Sequence, residues 1–491
     1  LALKNKNEPK CLTHILKKSR FFLRKENLHS SINCINNTGW GEMFYKHLLL
    51  IAIAFSFTFL SKKASGLPAF AMREHVSCTM CHTNGSAPHL TQVGYLYRRA
   101  GFRFPQNIGN KDLDEKNLDI LKHFVAGISV DYEAVTNKPQ SNANGSEALV
   151  QNNFDVREIE VYPVVGAFLG NFAAWSELDA TSTTATAQPN NSPATGAATA
   201  NNGSVNLNGA DLRYVDGDKD FFWGVRAGLI APEGYGASDQ SIDDGAIPLM
   251  DSQSAVHFSP DGTQFDTLAT PMGAMDVAQM GVELEASWPT TFLTLGIYNG
   301  FDGSTGYNPT GTGSQSALVP AQMNAQSKGS KDFKIQLDKM WERFALTGVY
   351  YNGRITLLDP NNAVPWLNDY QMGRVYGTYF AVPNILDIMT GVGGGQSAFV
   401  NPNSSTVAGH FDTLGAFISA NYYLKQHVTL SAKLDYYQYD TSASPRPAAQ
   451  AASLLASLPY ENNIFVFHLI RTEDAVNGLT NDFRAEWRFL F

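Results

Sequence analysis

Residues 279–288 read QMGVELEASW. Met280, Val282, Leu284, Ala286 and Trp288 alternate with Gly281, Glu283, Glu285 and Ser287, a period of two that puts one set on each face of a strand. The alternation recurs from about residue 121 onward. In HFVAGISVDYEA (123–134), Phe124, Ala126, Ile128, Val130, Tyr132 and Ala134 share a face, and FISANYYLKQHVTLSAKLDYYQYD (417–440) reads as a hairpin turning near Lys425 and Gln426. Such strands suit a soluble sandwich or a barrel with one face in lipid.

Three features select the barrel. Strands of about ten residues, aromatic toward their ends, are joined by polar connections that alternate short and long. Long ones run through 181–208, 232–276 and 300–330, and short ones fall at 164–169, 217–219 and 289–290. In the final DFRAEWRFLF, Phe483, Ala485, Trp487, Phe489 and Phe491 share an apolar face, similar to the assembly signal of bacterial outer-membrane barrels. A sandwich of this length needs two domains, and no boundary is visible. A first count gives about fourteen strands, but both ends of such a barrel lie in the periplasm, so the number is even and long loops follow odd strands. The stretch 382–410 is a long connection where a short one is due. A strand near ILDIMTGV (385–392) repairs the order and requires a second one hidden near the C-terminus. The expectation is an all-β, antiparallel outer-membrane barrel of about sixteen strands over 119–491.

The N-terminal part differs. The chain begins at Leu1, and 1–42 are Lys-rich without hydrophobic period, read here as an extension outside the fold. MFYKHLLLIAIAFSFTFLSKKASG (43–66) has a cationic start at Lys46, an apolar run from Leu48 to Leu60, and small residues at Ala64 and Gly66. That is the pattern of a secretory signal peptide cleaved after Gly66, and the run falls short of the ~20 residues of a membrane helix. Removing the 11 basic and 3 acidic residues of 1–66 from the totals of 36 and 45 leaves 25 and 42, a net charge of about −17. Such a balance argues against nucleic acid and anionic substrates as partners.

Within 67–118 stands HVSCTMCHTNGSAPH (75–89). Its Cys78, Cys81 and His82 spell C-x-x-C-H, the attachment motif of a c-type haem. Zinc needs four ligands, and the other two cysteines, Cys11 and Cys34, fall in the segment read as outside the fold, which leaves no second pair to supply them; a bare disulfide leaves His82 without a role. One covalent haem c is therefore expected, with both thiols joined to its vinyl groups and His82 as the proximal iron ligand. The distal ligand is open among His89, His75, Met72, His123, His257, His410, His427 and His468, each of which alone reads first as an ordinary exposed or lumen side chain. His89 is favoured because it follows the motif closely enough to fold back over the ring. With four aromatics in GYLYRRAGFRFP (94–105), so small a segment cannot bury a macrocycle and its own core unaided. A barrel of this size has a lumen, and the haem segment is expected to plug it.

PAFAMREHVSCTMCHTNGSAPHLTQVGYLYRRAGFRFP (68–105), followed by a barrel, resembles the fused monohaem cytochrome–porins of the bacterial outer membrane. Phe70-Ala71, Pro88, Leu90, Gly94 and Gly101-Phe102 occupy the family's motif positions, while Met72 stands where arginine is common and no Phe precedes Pro88. The resemblance implies an electron-transfer protein with Fe(II)-oxidising, oxidoreductase activity. Extracellular Fe(II) would be the donor, a periplasmic c-type cytochrome or similar carrier the acceptor, and outer-membrane lipid the surroundings. Other members have no assigned donor, so another or unspecific extracellular redox partner, or a haem-plugged porin for transport, stays open. Carboxylates that could gather Fe(II) occur in DYEA (131–134), YVDGDKD (214–220) and DDGA (243–246), each of which also reads as a solvated turn.

The exported protein is expected to start near Leu67 and carry one haem by intact mass. Cys78→Ala or Cys81→Ala should abolish two-point attachment, and a haem-free mature protein would contradict the assignment.

Overall fold

The computed structural model describes residues 70, 74–82, 90–110, 125–138, 149–181, 204–230, 257–258, 264–265, 279–299, 301–302, 331–358, 365–401, 406–424, 428–441, 448–460, 463–474 and 478–490. Sixteen long strands make one antiparallel sheet: β1 Val125–Lys138, β2 Leu149–Phe168, β3 Phe172–Thr181, β4 Ser204–Gly217, β5 Phe222–Ile230, β6 Gln279–Ser287, β7 Thr291–Tyr298 and β8 Asp332–Met340. They continue as β9 Phe344–Leu358, β10 Pro365–Val382, β11 Leu386–Asn401, β12 Thr406–Leu424, β13 Val428–Thr441, β14 Ala448–Tyr460, β15 Asn463–Asp474 and β16 Gly478–Leu490. A two-residue strand, Phe301–Asp302, lies parallel to β9. Each long strand pairs with its sequence neighbours, and β16 pairs with β1 from Gly127↔Leu490 to Lys138↔Leu479, so the sheet closes. A closed sheet has no unpaired edge, the condition for strands to stand in lipid.

The expected order of connections is observed. Short turns at 169–171, 218–221, 288–290, 341–343 and 383–385 follow even-numbered strands, and the long links 182–203, 231–278 and 299–331 follow odd ones. The strand near ILDIMTGV is β11. It is hard to see in sequence because Gly391, Gly393, Gly394 and Gly395 show no face, yet the ladder runs through them as Gly393↔Arg374 and Gly395↔Met372. The second hidden strand lies in β14–β16, where the Ala- and Ser-rich β14 gives little contrast between faces. One expected turn moves: 164–168 belong to β2, and the turn is at 169–171, with Phe168↔Phe172 closing the hairpin. The ladder shifts register between Val161 and Val164. Pro163, which has no N–H to give, sits in that irregularity and interrupts the alternation without ending the strand.

The two faces separate chemically. On β6, Leu284 is 47% exposed and Glu285 5%. Leu212, Val282, Leu337, Leu346, Val375 and Ile418 join the exposed face, while Asp211, Arg213, Glu283, Lys334, Asp338 and Arg374 are buried inside. Apolar outside and polar within is the pattern of a transmembrane barrel. Beside the short turns, Phe221, Trp223, Trp288, Trp341, Phe344 and Tyr379 are exposed aromatics, with Phe221 against Trp288 at 5.2 Å and Phe344 stacked on Tyr379 at 4.8 Å. They form a girdle at one membrane interface. The chain is an all-β outer-membrane barrel, and by its short turns that girdle marks the periplasmic side.

Leu284→Arg, a charge placed on the lipid face near the middle of β6, should destabilise the barrel by ~2–4 kcal/mol in reversible unfolding from lipid vesicles. A neutral result would contradict the assignment of that face.

Candidate functional site

The C-x-x-C-H residues lie on a compact segment inside the short-turn end of the barrel. Cys78 opens and Cys81 closes a one-turn helix, α1 (Cys78–Cys81). On a helical turn, positions three apart share a face, so the backbone suits attachment of one planar group at both cysteines. Cys81 and His82 are half-buried, and His82 forms a β-bridge with Leu90. Helix α2 (Gln92–Arg99) follows, capped by Thr91, whose Oγ1 accepts from the Gly94 N–H at 3.2 Å. The same hydroxyl donates to the Met80 carbonyl at 2.6 Å, and the Thr91 N–H donates to the Cys81 carbonyl at 2.8 Å. One residue thereby satisfies orphan groups of both helices.

Glycine at 94 is a packing requirement: a Cβ there would overlap the Cys81 carbonyl oxygen. At the other end, α2 stops in a Schellman arrangement, with Gly101 N–H to Arg98 O at 3.1 Å and Phe102 N–H to Tyr97 O at 3.0 Å. Gly101 has φ +72°, and a Cβ on it would lie 2.8 Å from the Ala173 Cβ on β3. Phe70 stacks on Phe102 at 5.4 Å and meets Tyr97 edge-on at 5.8 Å, while Tyr97 meets Phe104 at 5.2 Å. The described motif residues of the cytochrome–porin resemblance (Phe70, Leu90, Gly94, Gly101 and Phe102) are those that fold this segment about the cysteine turn.

The wall supplies what the segment lacks. Tyr95, 1% exposed, packs with Phe292, Met340 and Ala345 and donates to Asp338 Oδ2 at 2.9 Å. Burial, with Asp338 beside it, holds the Tyr95 phenol well above its ordinary pKa, so it stays a donor. Ala100 packs with Val215 and Phe222. Gln92 donates to the Pro289 carbonyl at 2.7 Å, and Arg103 donates to the carbonyls of Gly170 and Phe172. Arg99 reaches furthest into the wall, donating to Thr294 Oγ1 at 2.7 Å, Leu293 O at 2.9 Å and Ser287 Oγ at 3.3 Å, with Glu285 at 3.4 Å. From the wall, Arg213 lies 3.6 Å from Glu285 and donates to the Arg98 carbonyl at 2.8 Å.

Above this layer a second one points to the long-loop end. Glu283 takes Lys334 at 2.6 Å, Tyr298 at 2.5 Å and Arg226 at 3.3 Å, and Arg226 also binds Asp211 at 2.8 Å. Higher still, Gln279 donates to Tyr351 at 3.0 Å and Tyr351 to Asp332 at 2.7 Å. Alternation along QMGVELEASW puts Glu283 and Glu285 on the polar face; their basic partners, more than fifty residues away, were not legible there.

Among the described residues the candidate distal ligands do not gather in one place. His75 is exposed with φ +55°, His257 is in a two-residue strand, His410 is on β12, and His468 is buried on β15. His89, Met72, His123 and His427 lie outside the described residues. Among the described residues no cluster of three metal-binding side chains occurs. The run YVDGDKD lies at the short-turn mouth, away from the long loops. There Asp218 accepts the N–H groups of Asp220 and Phe221 at 2.8 and 3.0 Å, bonds that hold its carboxyl below the usual range. It is a turn-forming aspartate. DYEA is on β1, and DDGA lies outside the described residues.

No family model and no curated protein matches the chain. Among solved structures it is similar to a loop-deletion mutant of OmpT, an outer membrane protein of Vibrio cholerae (TM-score 0.46, 10% identity, 75% of this chain and 98% of that one). It is also similar to the anion-selective porin from Comamonas acidovorans (0.44, 9%, 75% and 98%) and the outer membrane channel DcaP of Acinetobacter baumannii (0.39, 9%, 75% and 96%). The barrel assignment rests on the closed strand pairing and the two chemically distinct faces, not on these likenesses.

Gly94→Val should unseat α1 from α2. The 70–110 segment should then become sensitive to protease while the barrel keeps its heat-modifiable gel migration; unchanged protection would contradict the role of this contact.

Proposed function

We propose that the chain is an outer-membrane electron conduit, carrying one haem c on Cys78 and Cys81 with His82 as axial ligand, in a segment seated inside the barrel. The observation that carries this reading is the docking of the C-x-x-C turn, through Gly94 and Thr91, onto a helix anchored in the wall. The donor set fits: two cysteines a helical turn apart, a histidine directly after them, and the aromatics Phe70, Tyr97, Phe102 and Phe104 on the same small segment. Haem at this place would supply a one-electron acceptor and donor within the membrane wall.

The chain's own residues would do three things. Cys78, Cys81 and His82 hold the cofactor; α2 fixes it to the barrel; the plug and wall keep ions and insoluble product from following the electron. Extracellular Fe(II), the donor implied by the resemblance, would leave as Fe(III) on the outer side, and a periplasmic carrier would collect the electron at the short-turn mouth. Export by 43–66, which lie outside the described residues, would bring the chain to the compartment where haem is attached. A second reading is a haem-plugged porin. It is favoured by the polar lining that continues past the plug toward the long loops, as in Tyr351, which accepts from Gln279 at 3.0 Å and donates to Asp332 at 2.7 Å.

Anaerobic mixing of the purified protein with Fe(II) tests the first reading. Reduced haem bands should appear in the wild type, and His82→Ala should lose the response while retaining heat-modifiable migration, since the strand pairing of the barrel wall does not involve His82. A wild type that Fe(II) never reduces, at acid or neutral pH, would overturn the Fe(II) assignment. Reduction of His82→Ala at the wild-type rate would overturn His82 as the ligand.

A further inference from the structure

The outward face of the wall changes chemistry before the strands end. On β9–β12 it begins at the short-turn girdle with Phe344 and Tyr379 and continues through Leu346, Val375, Val392 and Ile418, all exposed. It then reaches Asn352, Gln371, Gln396 and Asp412, which are exposed as well. These four are direct register partners, Asn352↔Gln371, Gln371↔Gln396 and Gln396↔Asp412, one on each of four neighbouring strands. Alternation separates them from the lumen face, where the adjacent Tyr351 and Met372 are buried. Eight residues lead from Phe344 to Asn352 and from Gln371 to Tyr379. For strands at the usual tilt that is about 20 Å of depth, close to the ~25 Å apolar band of such barrels. Pairing nevertheless continues from Gly353↔Tyr370 to Leu358↔Pro365, and from Ser397↔Phe411 to Asn401↔Thr406. The polar row therefore marks a change of medium and not the end of the wall.

We propose that Asn352, Gln371, Gln396 and Asp412 form a contact surface for a sugar-headed lipid of the outer leaflet. Position selects a headgroup, because the lipid whose chains cover Val375 and Ile418 has its head at the level just beyond them. Composition selects sugar. Three of the four side chains are amides, each able to donate and to accept, as a ring of hydroxyl groups requires. Gln396 donates to Asp412 at 3.1 Å, which ties the one carboxylate into the amide row. The row itself holds no base for a phosphate. Among the described residues of β9–β12, the base next to it on this face is Arg354, one register pair further out, and Arg354 donates to both carboxylate oxygens of Asp369. This surface is separate from the plug and stands whether or not a haem is bound.

Depth and stability measurements on the exported protein in lipid vesicles test it. A nitroxide on Gln371→Cys should respond more to a water-soluble nickel complex than to oxygen, and one on Val375→Cys the reverse. A label at 371 that reads as hydrocarbon would overturn the placement. Lipopolysaccharide added to phosphatidylcholine vesicles should raise the midpoint of the heat-modifiable transition of the wild type. The variant with Asn352→Leu, Gln371→Leu and Gln396→Leu should lose most of that rise and keep the wild-type midpoint in phosphatidylcholine alone. Should it fail to assemble, Gln371→Leu decides by a partial loss. Phosphatidic acid, whose head is a bare phosphate, should give no rise. A wild type indifferent to lipopolysaccharide, or an assembled variant that responds as fully as wild type, would overturn the contact surface. An equal rise with phosphatidic acid would overturn sugar as the partner in favour of phosphate.

Discussion

A sheet of sixteen strands that closes on itself encloses more space than its own side chains fill. Everything else in this protein follows from what occupies that space. Lipid requires the outer face to be apolar and the backbone to be paired all round, and β1 to β16 meet both conditions. The inner face is released from the first condition, so it can hold charges. It does so in layers, with Glu283, Glu285 and Asp211 answered by bases and Asp332, Asp338 and Asp387 by hydroxyl, phenol or amide donors, as the low polarity of the surroundings demands.

The plug exploits this division. A segment of some forty residues is too small for a core of its own, and α2 uses the wall as its missing half. Its apolar side lies on Phe292, Met340 and Val215, its phenol on Asp338, and its last basic residue on Glu285. Because the C-x-x-C turn is fixed to α2 by Thr91 and by the absence of a side chain at Gly94, the wall indirectly positions the cysteines. The barrel acts as a scaffold for a motif that has no domain around it.

How much of this the sequence discloses depends on whether a feature is local. Period-two alternation is local, and it yields the barrel and the order of long and short links; alone it counts about fourteen strands, and sixteen follows only from the even number that a barrel with both ends in the periplasm requires. It falters where side chains are absent or alike, in the glycine run of β11 and the Ala-Ser run of β14, and at Pro163, where a bulge resembles a turn. The lumen charges are half legible: alternation identifies Glu283 and Glu285 as inward, but their partners Lys334, Arg213 and Arg99 are set by strand order and by plug docking. Gly94 and Gly101 stand out in sequence only through a family resemblance; their cause, contact with the Cys81 carbonyl and with Ala173, is three-dimensional.

The central claim is that the C-x-x-C-H segment is built into the inside of its own barrel. The most direct test is to replace Tyr95 with p-azidophenylalanine, irradiate whole outer membranes and identify the adduct by mass spectrometry. The account predicts a cross-link within the same chain, to the wall peptides that carry Phe292, Asp338, Met340 or Ala345. Adducts confined to residues 70–110 or to other proteins would contradict it.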